Sequence, residues 1–211
     1  MKKNLTEVVI VLDRSGSMAT IKNDMENGLN MFVEKQAKEK GDCKISCYTF
    51  DTLIEKTLDA VDVKECPKIL LEPRGGTSLF DALGKSINDV GNRLSKTDET
   101  ERPELVIFLV ITDGEENSSK EFTREKINEM IKNQEDKYSW KFIYLGANQD
   151  AFANGVKYGI AGGSSMTYNT SSTGIYNSMN VLASGVSCMR AFSDQAKNYS
   201  FSDNERASAM L

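Results

Sequence analysis

Apolar positions in this chain fall into short unbroken runs that alternate with stretches of helical spacing. Residues 8–12 (VVIVL) are apolar throughout and β-branched, the pattern of a parallel strand buried on both faces. Ile21, Met25, Leu29, Phe32 and Val33 then recur at helical intervals and predict an amphipathic helix over 20–39. Residues 44–50 predict a second strand. Only Asp51-Thr52 separates it from the alternating segment 53–61, so the third strand returns antiparallel at the sheet edge. A turn cluster, Pro73-Arg74-Gly75-Gly76, precedes a second helix marked by Leu79, Leu83, Ile87, Val90 and Leu94. Residues 105–111 are the most apolar strand and belong at the centre of the sheet. Phe122, Ile127, Met130 and Ile131 predict a helix, 140–145 a strand, 150–157 a short helix and 164–168 a last short strand. Ile175, Met179, Leu182, Val186 and Met189 line one face of a final helix.

This order implies an α/β fold: a doubly wound, Rossmann-like, mostly parallel six-stranded sheet with one antiparallel edge strand and helices on both faces. In such sheets ligands bind outside the carboxyl ends of the strands, where the strand order reverses. Asp13 and Asp113 close the first and fourth strands, which flank that point in the common doubly wound order.

Composition narrows the function. The chain has 211 residues, 39% hydrophobic, with mean hydropathy −0.42, which suits one soluble domain over 1–211. Its net charge of −5 and lack of a basic run argue against nucleic acid or an anionic membrane as partner. No apolar run is long enough to span a bilayer, and the N-terminal run ends in a charge too early for a signal peptide. The four cysteines form no CxxC motif and read as free thiols of a reducing cytoplasm. The absence of histidine excludes Ser-His triads, histidine bases and histidine-ligated zinc.

The remaining chemistry is oxygen. Carboxylates at the ends of strands about 4.8 Å apart repel by roughly 3 kcal/mol at an effective dielectric near 20. A proton or a cation relieves this. Ser15 and Ser17 follow Asp13 on a glycine-containing loop, and Thr77 follows Gly75-Gly76 at the start of the second helix. Hydroxyls beside two carboxylates favour a hard cation, magnesium first, with manganese or calcium able to substitute. The competing reading is that each is a helix or turn cap, with Ser78 and Asp81 spaced as a loose capping box. Glu115 and Glu116 read as solvated rim charges. Arg14, Met18 and Arg74 are expected along the same rim, and Met25, Met130, Met179 and Met189 read as core filler.

At these residues the chain resembles the von Willebrand factor A (vWA) domain family, the fold of integrin I domains. The family's metal-ion-dependent adhesion site (MIDAS) reads D-x-S-x-S, then a distant Thr, then a distant Asp. Here it stands as Asp13-Arg14-Ser15-Gly16-Ser17, Gly75-Gly76-Thr77 and Thr112-Asp113-Gly114. The resemblance runs from about Glu7 to about Phe192. It implies that the Ser15, Ser17 and Thr77 hydroxyls contact the metal and that Asp13 and Asp113 act directly or through waters. A carboxylate from a partner protein fills the open position. It implies a binding module, not an enzyme, and by analogy a shift of the last helix and of 114–120 on ligation. The lack of a signal peptide and disulfides departs from extracellular members, so the expectation is cytoplasmic.

Two enzymes compete. A magnesium-dependent phosphatase or phosphotransferase of this architecture uses an Asp at the end of the first strand, which makes Asp13 a possible nucleophile in that reading. The haloacid-dehalogenase type expects D-x-D, and this chain has Asp13-Arg14-Ser15. A dinucleotide-binding oxidoreductase fails at the first turn, which has no GxGxxG.

Overall fold

The structure is a computed structural model, and it describes residues 1–147 and 150–211. Six strands form one sheet: β1 (Lys2–Asp13), β2 (Asp42–Phe50), β3 (Ile54–Asp62), β4 (Pro103–Thr112), β5 (Trp140–Ala147) and β6 (Ser165–Tyr168). Their order is β3-β2-β1-β4-β5-β6, with only β2–β3 antiparallel. The strand order therefore reverses between β1 and β4, as expected, and Leu12 lies beside Ile111 in that pairing. Helices α1 (Lys22–Lys38) and α5 (Ser172–Ala191) pack on one face. Helices α2 (Leu79–Lys96), α3 (Arg124–Tyr138) and α4 (Ala151–Lys157) belong to the other, and α6 (Asp203–Ala209) lies against α5 and β6.

Alternation along β1 explains its unbroken apolar run. Val8, Ile10 and Leu12 enter the core beneath α1 and α5, whereas Val9 and Val11 enter the core beneath α2 and α3. The strand is longer than the apolar run, since Lys2, Leu5, Thr6 and Glu7 also pair, with an irregularity between Lys2 and Thr6. Helix α2 begins at Leu79 with Asp81 in its first turn and ends with Arg93 and Lys96 in its last, matching the helix dipole. The Ser171 hydroxyl accepts the Gly174 N–H at the start of α5. Sequence patterning missed α6, which a Ser202–Glu205 capping box nucleates; it has one buried residue, Ala209, too few for a periodic signal. All four cysteines are free, and burial pushes the Cys43 and Cys47 thiols up to about 11 and about 12. Among the described residues no helix is long and apolar enough to cross a membrane.

Helices α1 and α5 approach closely at Gly28. A β-carbon there would lie 2.7 Å from Met179 Cγ. Gly91 of α2, by contrast, has nothing within 4 Å of its missing β-carbon. Gly28→Leu is expected to destabilise by about 2 kcal/mol through overpacking. Gly91→Ala is expected to stabilise by about 0.5–1 kcal/mol through helix propensity. Urea midpoints measure both, and equal shifts for the two would refute this packing.

Candidate functional site

The rim at the carboxyl end of the sheet is made of three loops tied to one another. The first continues β1. Its Arg14 N–H donates to the Phe50 carbonyl at the end of β2 (2.8 Å), and its Arg14 carbonyl accepts from Arg74 (2.7 Å). Gly16 N–H donates to the Gly75 carbonyl at 3.2 Å. Gly75 has φ +68°, in the left-handed region, which lets the second loop turn back against the first. The third loop follows β4. Asn117 Oδ1 accepts from the Thr77 amide, and the Thr77 carbonyl accepts from Asn117 and Ser118.

These ties bring the predicted oxygens together. Asp13 is fully buried; its Oδ1 accepts the Ser15 N–H (2.6 Å) and its Oδ2 accepts the Thr112 hydroxyl (2.5 Å). Ser15 Oγ lies 3.1 Å from Ser17 Oγ, which donates to Asp113 Oδ1 at 2.7 Å. Gly114 closes the cluster: a β-carbon on it would sit 3.4 Å from Thr77 Oγ1 and 3.9 Å from Ser17 Oγ. The absent side chain leaves a small cradle lined by hydroxyls. Asp13, Ser15 and Thr77 form its buried floor, Asp113 is half-buried and Ser17 is exposed.

The capping alternative fails at the serines. Ser15 and Ser78 occupy N-cap positions, yet neither side chain makes a cap hydrogen bond. Asp81 does not complete a box with Ser78. Its carboxylate accepts the amides of Lys120, Glu121 and Phe122 and so holds the loop after β4.

Electrostatics single out Asp13. Burial pushes its carboxyl up to about 6, and the neighbouring Asp113 charge adds to this, against the lowering effect of the Thr112 and Ser15 hydrogen bonds. Burial also raises Asp113, opposed by the Ser17 hydroxyl. Desolvation, more than the mutual repulsion expected from sequence, is what makes the buried charge costly. Among the described residues no three His, Cys, Asp or Glu side chains cluster as metal ligands. A cation at this rim therefore has to draw on hydroxyls, and two carboxylates with three hydroxyls suit a hard, oxygen-binding ion.

Some rim expectations are corrected. Met18 is buried in the core and Arg14 is buried beneath the rim; of the three, only Arg74 is exposed. Arg14 Nε and Arg74 Nε both donate to Asp51 Oδ2, at 2.8 and 2.9 Å, and both guanidinium groups also bridge to Glu55. Glu115 is exposed as expected. Glu116 is instead a loop organiser, accepting the amides of Phe80, Ser118 and Ser119 and the Ser119 hydroxyl.

Sequence reasoning missed Thr112 and Asp51. Both sit at strand ends by the same logic that selected Asp13 and Asp113, so their position was legible, but the partners that set their roles were not. Asp51 is withdrawn from ligation by its partners. Burial raises its carboxyl, but hydrogen bonds from Arg74, the Leu53 amide and Arg14 bring it below the usual range.

Residues 5–159 match the vWA-TerF-like family, described as the vWA found in TerF C terminus. No curated protein matches the chain. Among solved structures, proximal thread matrix protein 1 from the mussel byssus, with a zinc-occupied MIDAS motif, superposes at TM-score 0.60 and 16% identity, over 89% of this chain and 47% of that one. The von Willebrand factor type A protein of Catenulispora acidiphila gives 0.55 and 14%, over 87% and 42%. The ArnB paralog VWA2 of Sulfolobus acidocaldarius gives 0.51 and 18%, over 88% and 44%. At these identities the likeness is one of fold, and this chain spans less than half the length of each.

The Asp13 carboxyl has a consequence for stability without metal. Below pH about 4 both the native and unfolded chains hold its proton, so it costs nothing. Between about 4 and 6 only the unfolded chain releases the proton, so stability falls as pH rises; above about 6 the loss is complete at about 3 kcal/mol. In metal-free buffer, the stability of Asp13→Asn relative to the parent is expected to rise by about that amount from pH 4 to 7. Urea unfolding at each pH measures it, and a difference independent of pH would refute it.

Proposed function

The chain belongs to the vWA-TerF-like family, and from that premise we propose that it is a metal-dependent protein-binding module. Asp13, Ser15, Ser17, Thr77 and Asp113 would hold a magnesium ion, with manganese or calcium as substitutes, and an Asp or Glu carboxylate of a partner protein would complete the shell. When bound, the cation supplies positive charge that offsets the two aspartates and a position open to an anionic oxygen. The residues themselves do the positioning. Thr112 and the Ser15 amide hold Asp13 against rotation, Ser17 orients Asp113, and the Gly114 cradle leaves room above Thr77.

One observation carries this reading. Three separate loops converge two carboxylates and three hydroxyls on one rim, at the reversal point of the sheet, with the deeper carboxylate raised by burial. The zinc-occupied MIDAS of the mussel protein is a precedent on this fold. We take residues 1–211 as one unit, because α5 and α6, beyond the family match, pack on the same core. We place it in the cytoplasm, where its free cysteines remain reduced.

The phosphatase reading has Asp13 in the expected place but meets an obstacle. Both Asp13 oxygens accept hydrogen bonds, from Ser15 and Thr112, which is poor preparation for a nucleophile. Calorimetry with magnesium and with manganese is expected to show one site, with binding lost in Asp13→Ala and weakened at least tenfold in Thr77→Val. Unchanged affinity in Asp13→Ala would refute the site. Magnesium-dependent turnover of a generic phosphate ester, abolished by Asp13→Asn, would replace the binding module with an enzyme.

A further inference from the structure

Behind the rim lies a cavity of about 310 Å³ on the α1 side of the sheet, at the lower end of small-molecule sites at about 300–1,000 Å³. It is set between the β2–β3 pair and the extended segment 66–72 that leads to α2. Two of its lining residues carry buried polar atoms with no partner. Arg14 is 4% exposed and its Nη2 is unbonded, although its Nε and Nη1 are engaged by Asp51 and Glu55. Thr49 is 3% exposed and its hydroxyl neither donates nor accepts a hydrogen bond. Buried donors are rarely left unpaired, because desolvation is then uncompensated.

The surroundings limit what can satisfy them. Arg14 Nη2 can only donate and the Thr49 hydroxyl can donate, so an acceptor group with two oxygens has the capacity to serve both. Leu58, Pro67, Ile69 and Leu70 supply apolar wall. Besides Arg14, the charged lining residues are Lys68, Glu72 and Glu55, and Glu55 is already paired with Arg14 and Arg74. Access follows from how the outer wall is held. Asn30 pairs with the Ile69 amide and carbonyl, and Glu26 accepts the Leu71 amide. Lys68 and Leu70 lie between these anchors and are exposed, Leu70 at 66%, so this side of the cavity meets solvent while its lining stays in place.

We propose that this cavity is a binding site for a small carboxylate with a short branched aliphatic tail. The carboxylate accepts from Arg14 Nη2 and Thr49 Oγ1, and the tail lies against Leu58, Ile69 and Leu70. The same chemistry occurs in a free aliphatic amino acid and in a simple short-chain acid. An amino acid would add an ammonium group that Glu72 can receive. Because Arg14 stands between Asp13 and Ser15, the site lies directly beneath the metal-binding loop, yet it does not depend on metal being bound there.

The test is an amide NMR titration of the full chain in metal-free buffer, so that no rim cation attracts the acid. The probes are 4-methylpentanoate, L-leucine and 4-methylpentan-1-ol. At least one of the two acids is expected to shift the Thr49, Leu58 and Leu70 amides saturably, with the alcohol at least tenfold weaker. Tighter binding of L-leucine identifies an amino acid site; tighter binding of 4-methylpentanoate identifies a simple acid site. Thr49→Val, which keeps the shape and removes only the hydroxyl, is expected to weaken the preferred acid at least fivefold while leaving magnesium affinity unchanged. The proposal falls if neither acid saturates, if the alcohol binds as well as the acids, or if Thr49→Val binds as the parent does.

Discussion

The hydrogen bond from Thr112 to Asp13 joins the ends of two neighbouring parallel strands, and the rim is organised around it. It exists because β1 lies between β2 and β4, so that the chain leaves the sheet on opposite sides at adjacent strand ends. A carboxylate held there has lost its water. Two hydrogen bonds compensate only part of that loss, and its carboxyl stays raised. The surrounding hydroxyls, the half-buried Asp113 and the bare Gly114 make up the environment of that buried carboxyl.

A second electrostatic unit supports the first from beneath. Arg14 and Arg74 come from two different rim loops, and both close on Asp51 and Glu55. The pairing fixes the backbone on which Ser15, Ser17 and Thr77 stand. It also decides which strand-end carboxylates remain available: Asp51 is neutralised by two guanidinium groups, whereas among the described residues no cationic side chain bonds Asp13 or Asp113. One residue type at three equivalent strand ends therefore performs two different tasks, set by its neighbours.

The loop after β4 is held more firmly than its polar, irregular sequence suggests. Glu116 and Asp81 together accept six backbone amides at the start of α2 and across residues 118–122, and Asn117 accepts a seventh from Thr77. A shift of 114–120 on ligation, the movement expected by analogy, would have to break this network or carry α2 with it. Coupling between rim and helix is thus built from ordinary carboxylate–amide bonds.

Much of this was legible in the linear chain. Runs apolar on both faces identify β1 and β4 as interior strands, helical spacing identifies the long helices, and the strand-end position of Asp13 and Asp113 with the nearby Ser15, Ser17 and Thr77 identifies the rim chemistry. These are local patterns, governed by periodicity and residue type. The roles of Asp51, Glu116, Asp81 and Thr112 were not legible, because each depends on a partner 36 to 99 positions away in the chain. Sequence determined which oxygens could meet at the rim. Only tertiary structure decided which carboxylates would be neutralised by arginine, which would pin a loop and which would stay buried without a cationic partner, since charge pairing and desolvation depend on what the fold places nearby.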